Sequence, residues 1–422
     1  MAARRFLATG RRAFDPSNTA SSLARFGSGE LLWRASLLSA LRLPGFVPCA
    51  RLALRAAVDA PASANPLVRG GGGILRAVSR RVLERQFVAG ADAASALATA
   101  AALRSRGVGA IVDHSVEDAV DLDENRARKM DLIRAVAGTG AAVPVKPTAV
   151  ADAGALRELA GGIRASADPA AARLDPRLAE SLERRDAYED ALSGLETITA
   201  EARRCGVKIL LDAERSEVQP AVDHVALACL RRFSEPGAPA LYNTYQCYLR
   251  GSDQRLALDA AACAAARAPF GCKIVRGAYL ADEADALRPT KADTDRAYDA
   301  AVASLLEHMA RGDDAHLFIA SHNAASAGAA VDAMDGLGLS RSDGRVTFAQ
   351  ILGMCDSLTD ELAGAGCNVS KLVLFGDFGD LAPWIGRRLE ENQDALGAPT
   401  AEGAVLWGEL RRRLTTRDSF GS

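Results

Sequence analysis

From about residue 74 the chain alternates short apolar runs with alanine-rich, charge-patterned stretches of helix length. The runs are Gly109–Asp113 (GAIVD), Ala142–Lys146 (AVPVK), Val207–Asp212 (VKILLD), Ala240–Gln246 (ALYNTYQ), Cys272–Arg276 (CKIVR), His316–Ser321 (HLFIAS), Val346–Ile351 (VTFAQI) and Leu372–Phe375 (LVLF). Short, nearly continuous apolar runs of this kind read as strands buried on both faces. Between them, stretches such as 150–165, 179–204 and 293–311 read as helices. Strands that alternate with helices pair in parallel, and eight of them predict a closed, TIM-like (β/α)8 barrel of the α/β class. A doubly wound open sheet is the alternative, but no G-x-G-x-x-G follows any of the runs.

The chain before residue 74 is patterned differently. Residues 1–14 carry four arginines and no acid, the chemistry of a mitochondrial transit segment, with a basic tail as the plain alternative. Residues 30–58 form arginine-studded apolar helical patterns interrupted by Pro44 and Pro48, suited to packing on the main domain or lying on a membrane surface. Ala60 to Gly73 ends in four glycines and reads as a linker. The expected organisation is therefore a candidate transit segment (1–14), an N-terminal helical region and linker (15–73), the barrel (74–400) and a C-terminal helix or tail (401–422).

A barrel collects its chemistry where the strands end, on the C-terminal face. The polar residues at or just past those ends are Asp113, Lys146, Asp212, Gln246, Arg276 with Tyr279, His322 with Asn323, and Arg387 with Arg388. Each has an ordinary explanation alone: Asp113 and Asp212 as helix caps, Lys146 as a surface lysine, His322 as a hydrogen-bonded structural histidine. Around one mouth they make a cationic pocket suited to a small anion, a phosphate-bearing cofactor, or both. The last stretch, 371–392, is organised as strand, glycine turn and helix, with the helix predicted to begin at Pro383. Trp384, Ile385, Leu389 and Leu396 are its apolar stripe. Arg387 and Arg388 are adjacent planar donors able to grip one carboxylate or phosphate, with Glu391 spaced to brace them. A solvated charged face is the simpler alternative for that helix alone.

Composition narrows the partners. A net charge of −2 argues against nucleic acid as the main partner. Eight scattered cysteines without a C-x-x-C read as reduced thiols and give no metal site. No apolar run reaches the length of a membrane-spanning helix.

Five motifs then occur in order: Asn243-Thr-Tyr-Gln-Cys-Tyr-Leu249, Lys273-Ile-Val-Arg-Gly-Ala-Tyr-Leu280, Ala320-Ser-His-Asn323, Ile351-Leu-Gly-Met-Cys-Asp356 and Arg387-Arg388-x-x-Glu-Asn392. Together they resemble the proline dehydrogenase (proline oxidase) family, most closely its mitochondrial eukaryotic branch. Val143-Pro-Val-Lys146 and Leu210-Leu-Asp-Ala-Glu214 supply the earlier strands, so the resemblance covers roughly 74–396.

The resemblance implies a distorted (β/α)8 barrel that uses FAD to oxidise L-proline to 1-pyrroline-5-carboxylate, with ubiquinone or another acceptor taking the electrons at the matrix side of the inner membrane. It places Lys146, Arg387 and Arg388 at the proline carboxylate, with Asp212 and Tyr279 across from them. It places Ala213, Gln246, Lys273, Arg276, Gly277 and Ala278 at the flavin, Lys273 as its electronic lever. Ser321 and His322 fall at the pyrophosphate or adenosine, with Thr290, Lys291 and Glu391 also on the cofactor side. For Thr290 and Lys291 a helix N-cap is the equal alternative. In Leu372-Val-Leu-Phe-Gly376 the sequence departs from the family's usual Y-V-P-Y-G: Leu372 replaces a tyrosine that packs over the substrate ring, which opens the choice between proline and 4-hydroxyproline. An unpaired buried hydroxyl costs about 1–3 kcal/mol, so the leucine favours proline. Pro147, after Lys146, is a second departure. From another class, Lys146 at a strand end also suits a Schiff-base, aldolase-like lyase with Asp212 as acid/base.

Overall fold

A computed structural model describes residues 13–16, 19–43, 45–59, 66–114, 121–280, 283–382, 384–386 and 398–415. Arg387, Arg388 and Glu391 lie outside the described residues, as do Leu389 and Leu396.

Each of the eight runs is a strand. With one further short strand they are β1 (Val88–Gly90), β2 (Val108–His114), β3 (Ala142–Val145), β4 (Lys208–Leu211), β5 (Tyr242–Gln246), β6 (Phe270–Val275), β7 (Ala315–Ala320), β8 (Val346–Ile351) and β9 (Val369–Phe375). Strands β2 to β9 pair in sequence, all in parallel, and β9 returns to β2 to close the barrel. The closing seam is the longest, running from Val108↔Val369 to His114↔Phe375.

The opposite edge of β9 is shared. β8 pairs with it only as far as Ile351↔Leu372, and β1 then takes over at Leu374 and Phe375. Gly376 N–H donates to Gly90 O at 3.1 Å, and Leu352 N–H to Leu372 O at 3.0 Å. Gln86 Nε2 donates to Gly353 O at 2.6 Å. This splice adds β1 to the barrel wall at its C-terminal end. The apolar periodicity did not announce β1, a three-residue strand with only Val88 buried.

Side-chain alternation divides the apolar residues between two compartments. Outward residues such as Val112, Val143, Ile209 and Ile274 pack under the helices in the main core. Inward residues Ile111, Ala142, Leu210, Tyr242, Phe318 and Ala349, with Leu372 beside them, fill the barrel. Tyr242 and Phe318 meet edge to face at 4.9 Å between centroids, which closes the interior below the mouth.

The flanking helices pack on this body. Leu23, Phe26, Leu31, Ala35 and Leu38 join Leu406 and Leu410, so the Ser28–Ala40 helix lies against the Ala398–Thr415 helix. Leu54, Ala57 and Leu83 pack with Leu374, Phe378, Leu381 and Ile385 beside β9. The expected linker is a structural difference: the Pro66–Gln86 helix runs straight through Gly70–Gly73. Four glycines lower helix propensity by about 1 kcal/mol each, but Leu75 and Leu83 anchor the helix in that cluster, and packing overrides propensity. The helix expected from Pro383 likewise begins earlier: residues 378–382 are already helical. Asp377 O accepts the N–H groups of Asp380 and Leu381, while Phe378, Leu381 and Ala382 bury themselves.

Candidate functional site at the C-terminal mouth

Lys146 directly follows β3, and its extended conformation (φ −84°, ψ 117°) suits a residue preceding proline. Pro147 occupies the first turn of the short Pro147–Val150 helix, where its missing N–H costs nothing. β4 continues to Asp212, whose N–H donates to Val145 O at 2.9 Å. Lys273, half-buried within β6, reaches Asp212 Oδ1 at 2.6 Å. The side chains are 13% and 39% exposed, so this pair is open to water and to a ligand.

Gln246 ends β5 and is buried. Its Oε1 accepts from Ala278 N–H at 3.1 Å and its Nε2 donates to Glu214 O at 3.0 Å. The β6 turn follows. Gly277 has φ +152°, and a Cβ there would overlap the Tyr248 ring. The close approach that requires glycine is thus to Tyr248 within the protein. Tyr248 Oη in turn accepts from Tyr279 N–H at 3.3 Å.

Arg276 is held on every side. Nε donates to Asp295 Oδ1 at 2.7 Å, Nη1 to Ser321 Oγ at 2.7 Å and Nη2 to Ser326 Oγ at 2.8 Å. Its guanidinium lies 4.4 Å from the centroid of the Tyr298 ring. Burial pushes Asp295 up, but hydrogen bonds from Lys291 and Arg276 outweigh it and leave the carboxyl below its ordinary range. Ser321 Oγ also accepts from Asn323 N–H at 3.0 Å.

Several candidates carry structural duties. Asn323 caps the Ala324–Gly336 helix, accepting from Ala325 and Ser326 N–H. Thr290 caps Lys291–Ala310, accepting from Asp293 N–H at 3.1 Å. Lys291 pairs with Asp295 at 2.6 Å and so touches the Arg276 cluster from outside. His322 Nε2 accepts from Ile351 N–H at 3.0 Å, committing one ring nitrogen to the end of β8. Asp113 pairs with Lys129 of the following helix at 2.7 Å. Leu372 sits with the inward-facing residues of the barrel. Ala213 is half-buried between Asp212 and Glu214.

Sequence reasoning passed over Glu214, which is only 5% exposed. Its Oε1 accepts from Thr148 N–H at 3.2 Å and Thr148 Oγ1 at 2.6 Å, and its Oε2 accepts from Tyr279 Oη at 3.3 Å. Its N–H donates to Gln219 Oε1 at 2.7 Å, and Gln219 Nε2 donates to Asp223 at 2.9 Å. One residue therefore joins the ends of β3, β4, β5 and β6. An acid two positions past a strand end was the available signal, and it was weaker than that of Asp212.

These features define a (β/α)8-barrel protein with a cluster of polar side chains at its C-terminal face. A sequence profile for proline dehydrogenase matches residues 96–398, and the chain belongs to that family. It is 34% identical to bovine (Bos taurus) mitochondrial proline dehydrogenase 1 over 59% of this chain and 42% of that protein. It is 38% identical to bovine hydroxyproline dehydrogenase over 54% of this chain and 52% of the relative. The chain thus spans about half the length of these curated relatives. Among solved structures it resembles proline utilization A from Bdellovibrio bacteriovorus inactivated by N-propargylglycine. There the TM-score is 0.69 at 16% identity, covering 89% of this chain and 41% of that one, a likeness of fold.

Proposed function

We propose that the protein is an FAD-dependent proline dehydrogenase that oxidises L-proline to 1-pyrroline-5-carboxylate, the first step of proline catabolism to glutamate. The observation that carries this reading is the Lys273–Asp212 pair, held partly open at the mouth of a barrel of this family. The donor set fits a flavin dinucleotide. Lys273 supplies positive charge for the ring, Gln246 and the 276–278 main chain supply edge contacts, and Arg276 with Ser321 suits a diphosphate. Ala213, His322, Thr290, Lys291 and Glu391 complete the proposed cofactor side.

FAD, when bound, supplies the hydride acceptor at flavin N5. The protein's part is to position and desolvate the ring. Lys146, Arg387 and Arg388 hold the carboxylate, and Asp212 and Tyr279 line the opposite side. The amine must be neutral when hydride leaves the adjacent ring carbon, so that its lone pair can form the C=N bond; loss of the N–H proton to solvent then gives the neutral imine. Leu372 presents an apolar wall, which supports proline. The likeness to hydroxyproline dehydrogenases supports 4-hydroxyproline as the second reading.

For electron delivery we propose a quinone and a peripheral position on the mitochondrial inner membrane. No helix among the described residues is long and apolar enough to cross a membrane. Leu52, Ile74 and Val78 are exposed on the Phe46–Asp59 and Pro66–Gln86 helices, beside Arg55, Arg80 and Arg81, which supports surface contact.

The test is anaerobic. Purified protein is expected to be yellow, and its flavin absorbance should bleach on adding L-proline, with 4-hydroxyproline run in parallel. Arg388→Met should raise the proline KM roughly 100-fold, as expected for loss of a charged hydrogen bond, with bound flavin retained. No bleaching with either imino acid would overturn the reading, and trapping of a carbonyl substrate on Lys146 by borohydride would favour the lyase.

A further inference from the structure

Four arginines line one cavity outside the barrel wall. It measures about 230 Å³ and lies between the N-terminal helices, the end of the Pro66–Gln86 helix and the turn after β8. Arg25, Arg34, Arg85 and Arg106 face the carboxylates of Glu84 and Asp356 across it. Behind them, Glu30 and Asp360 pair with the arginines, while Arg80 and Lys371 pair with Glu84 and Asp356. Counting the lining groups and their ion-pair partners, six cations share four carboxylates, a surplus of two positive charges. The guanidinium groups also keep donors in hand. Arg85 and Arg106 each use Nη2 alone, on Glu30 and Asp360 at 3.0 Å, and leave their other nitrogens to the cavity.

Gln86 stands at the same cavity and is 4% exposed. Its Nε2 donates to Gly353 O at 2.6 Å. A carbonyl can only accept, so the amide nitrogen must face Gly353, and Oε1 is the end left for the cavity. Gly353 (φ +75°) has no room for a Cβ, which would overlap Gln86 O, so the two main chains stay in contact and the amide is pinned. Among the described residues no donor meets Gln86 Oε1. A bare anion would answer the arginines and leave that buried acceptor unmatched. An anion that also has a proton to give answers both.

We propose that this cavity is a binding site for a small dianion carrying a hydroxyl, the chemistry shared by monohydrogen phosphate and a hydroxydicarboxylate. The arginines hold the charge, and Gln86 Oε1 accepts the hydroxyl proton. The assignment is independent of the proline reading.

The probes are inorganic phosphate against sulfate, and L-malate against succinate. Each is titrated by calorimetry into the full-length protein as purified, in mildly alkaline buffer at fixed ionic strength. Within each pair the charge is matched and only the first member has the hydroxyl. In at least one pair that member should bind roughly tenfold more tightly, and which pair shows the gap identifies the source. Gln86→Met should erase the gap while leaving sulfate or succinate unchanged. Arg106→Gln should weaken both members of the pair by roughly tenfold. No gap in either pair, or a gap that survives Gln86→Met, would overturn the assignment. So would affinities unmoved by Arg106→Gln, which would place the anion at other arginines, those predicted at the mouth included. Should Gln86→Met fail to fold, the wild-type gap and its response to Arg106→Gln decide.

Discussion

Two of the lysine–carboxylate pairs in this barrel do opposite work. Lys273 meets Asp212 at 2.6 Å at the mouth, with side chains 13% and 39% exposed. Lys371 meets Asp356 at 2.9 Å behind β9, at 0% and 9%. Lys371 also donates to Ile351 O at 3.1 Å and to Met354 O. Asp356 gathers Arg34 at 2.6 Å and Arg25 at 3.7 Å from the N-terminal helices. Burial raises the Asp356 carboxyl, yet Lys371, Arg34 and Arg25 prevail and hold it at about 2. Burial and the neighbouring Asp356 push Glu402, from the C-terminal helix, in the other direction. Lys371, Arg34 and Arg25 all pair with Asp356, whose N–H also reaches Glu402, so that pair fastens the terminal helices to the strand bearing Leu372. The mouth pair keeps one face in water, where a ligand can compete for it.

The contrast is broken most severely by Lys371→Met. A buried carboxylate stripped of its lysine costs about 3–5 kcal/mol, which denaturant unfolding should register as a large fall in midpoint. A change below about 1 kcal/mol would show that Arg25 and Arg34 alone suffice. Lys273→Met is expected to do the reverse. Partly exposed pairs contribute less than about 1 kcal/mol to stability, so the melting temperature should stay nearly constant. Proline-dependent flavin reduction should fall roughly 100-fold, and a stopped-flow trace at wild-type speed would remove Lys273 from the chemistry.

Acid sharpens the comparison with a smaller effect. The Asp356 carboxyl sits lower in the folded protein than its ordinary value of 3.8. Its stabilisation is therefore present above that value and is lost as pH falls through about 2. The loss should amount to roughly 2 kcal/mol. Melting temperatures taken from pH 5 down to pH 2.5 should show this decline in wild type and a shallower one in Lys371→Met. Parallel curves would place the acid sensitivity elsewhere.

The seam behind β9 was nearly invisible in the sequence, and the reason is physical. Lys371 reads as a polar residue at the edge of an apolar run. Only the alternation of β9, with Leu372 turned inward, shows that Lys371 must point out beneath the terminal helices. The strand-end list fared better because parallel strands all deliver their C-terminal residues to one face. Thus Asp212, Gln246, Arg276 and Tyr279 were readable as neighbours across long separations. Their pairing was not readable: Asp212 with Lys273, Gln246 with Ala278, and Arg276 with Ser321 depend on register.

By itself, then, the amino-acid order determined the count of barrel strands, the family motifs and the face on which the polar residues gather. These follow from periodicity and from residues that act locally. Tertiary structure decided what local rules cannot reach. It carried a helix through four glycines on the strength of Leu75 and Leu83, and it spliced β1 into the edge that β8 vacates. It also made Glu214 the meeting point of four strand ends. Contacts between residues far apart in the chain outweigh intrinsic propensity once burial leaves polar groups no water to fall back on.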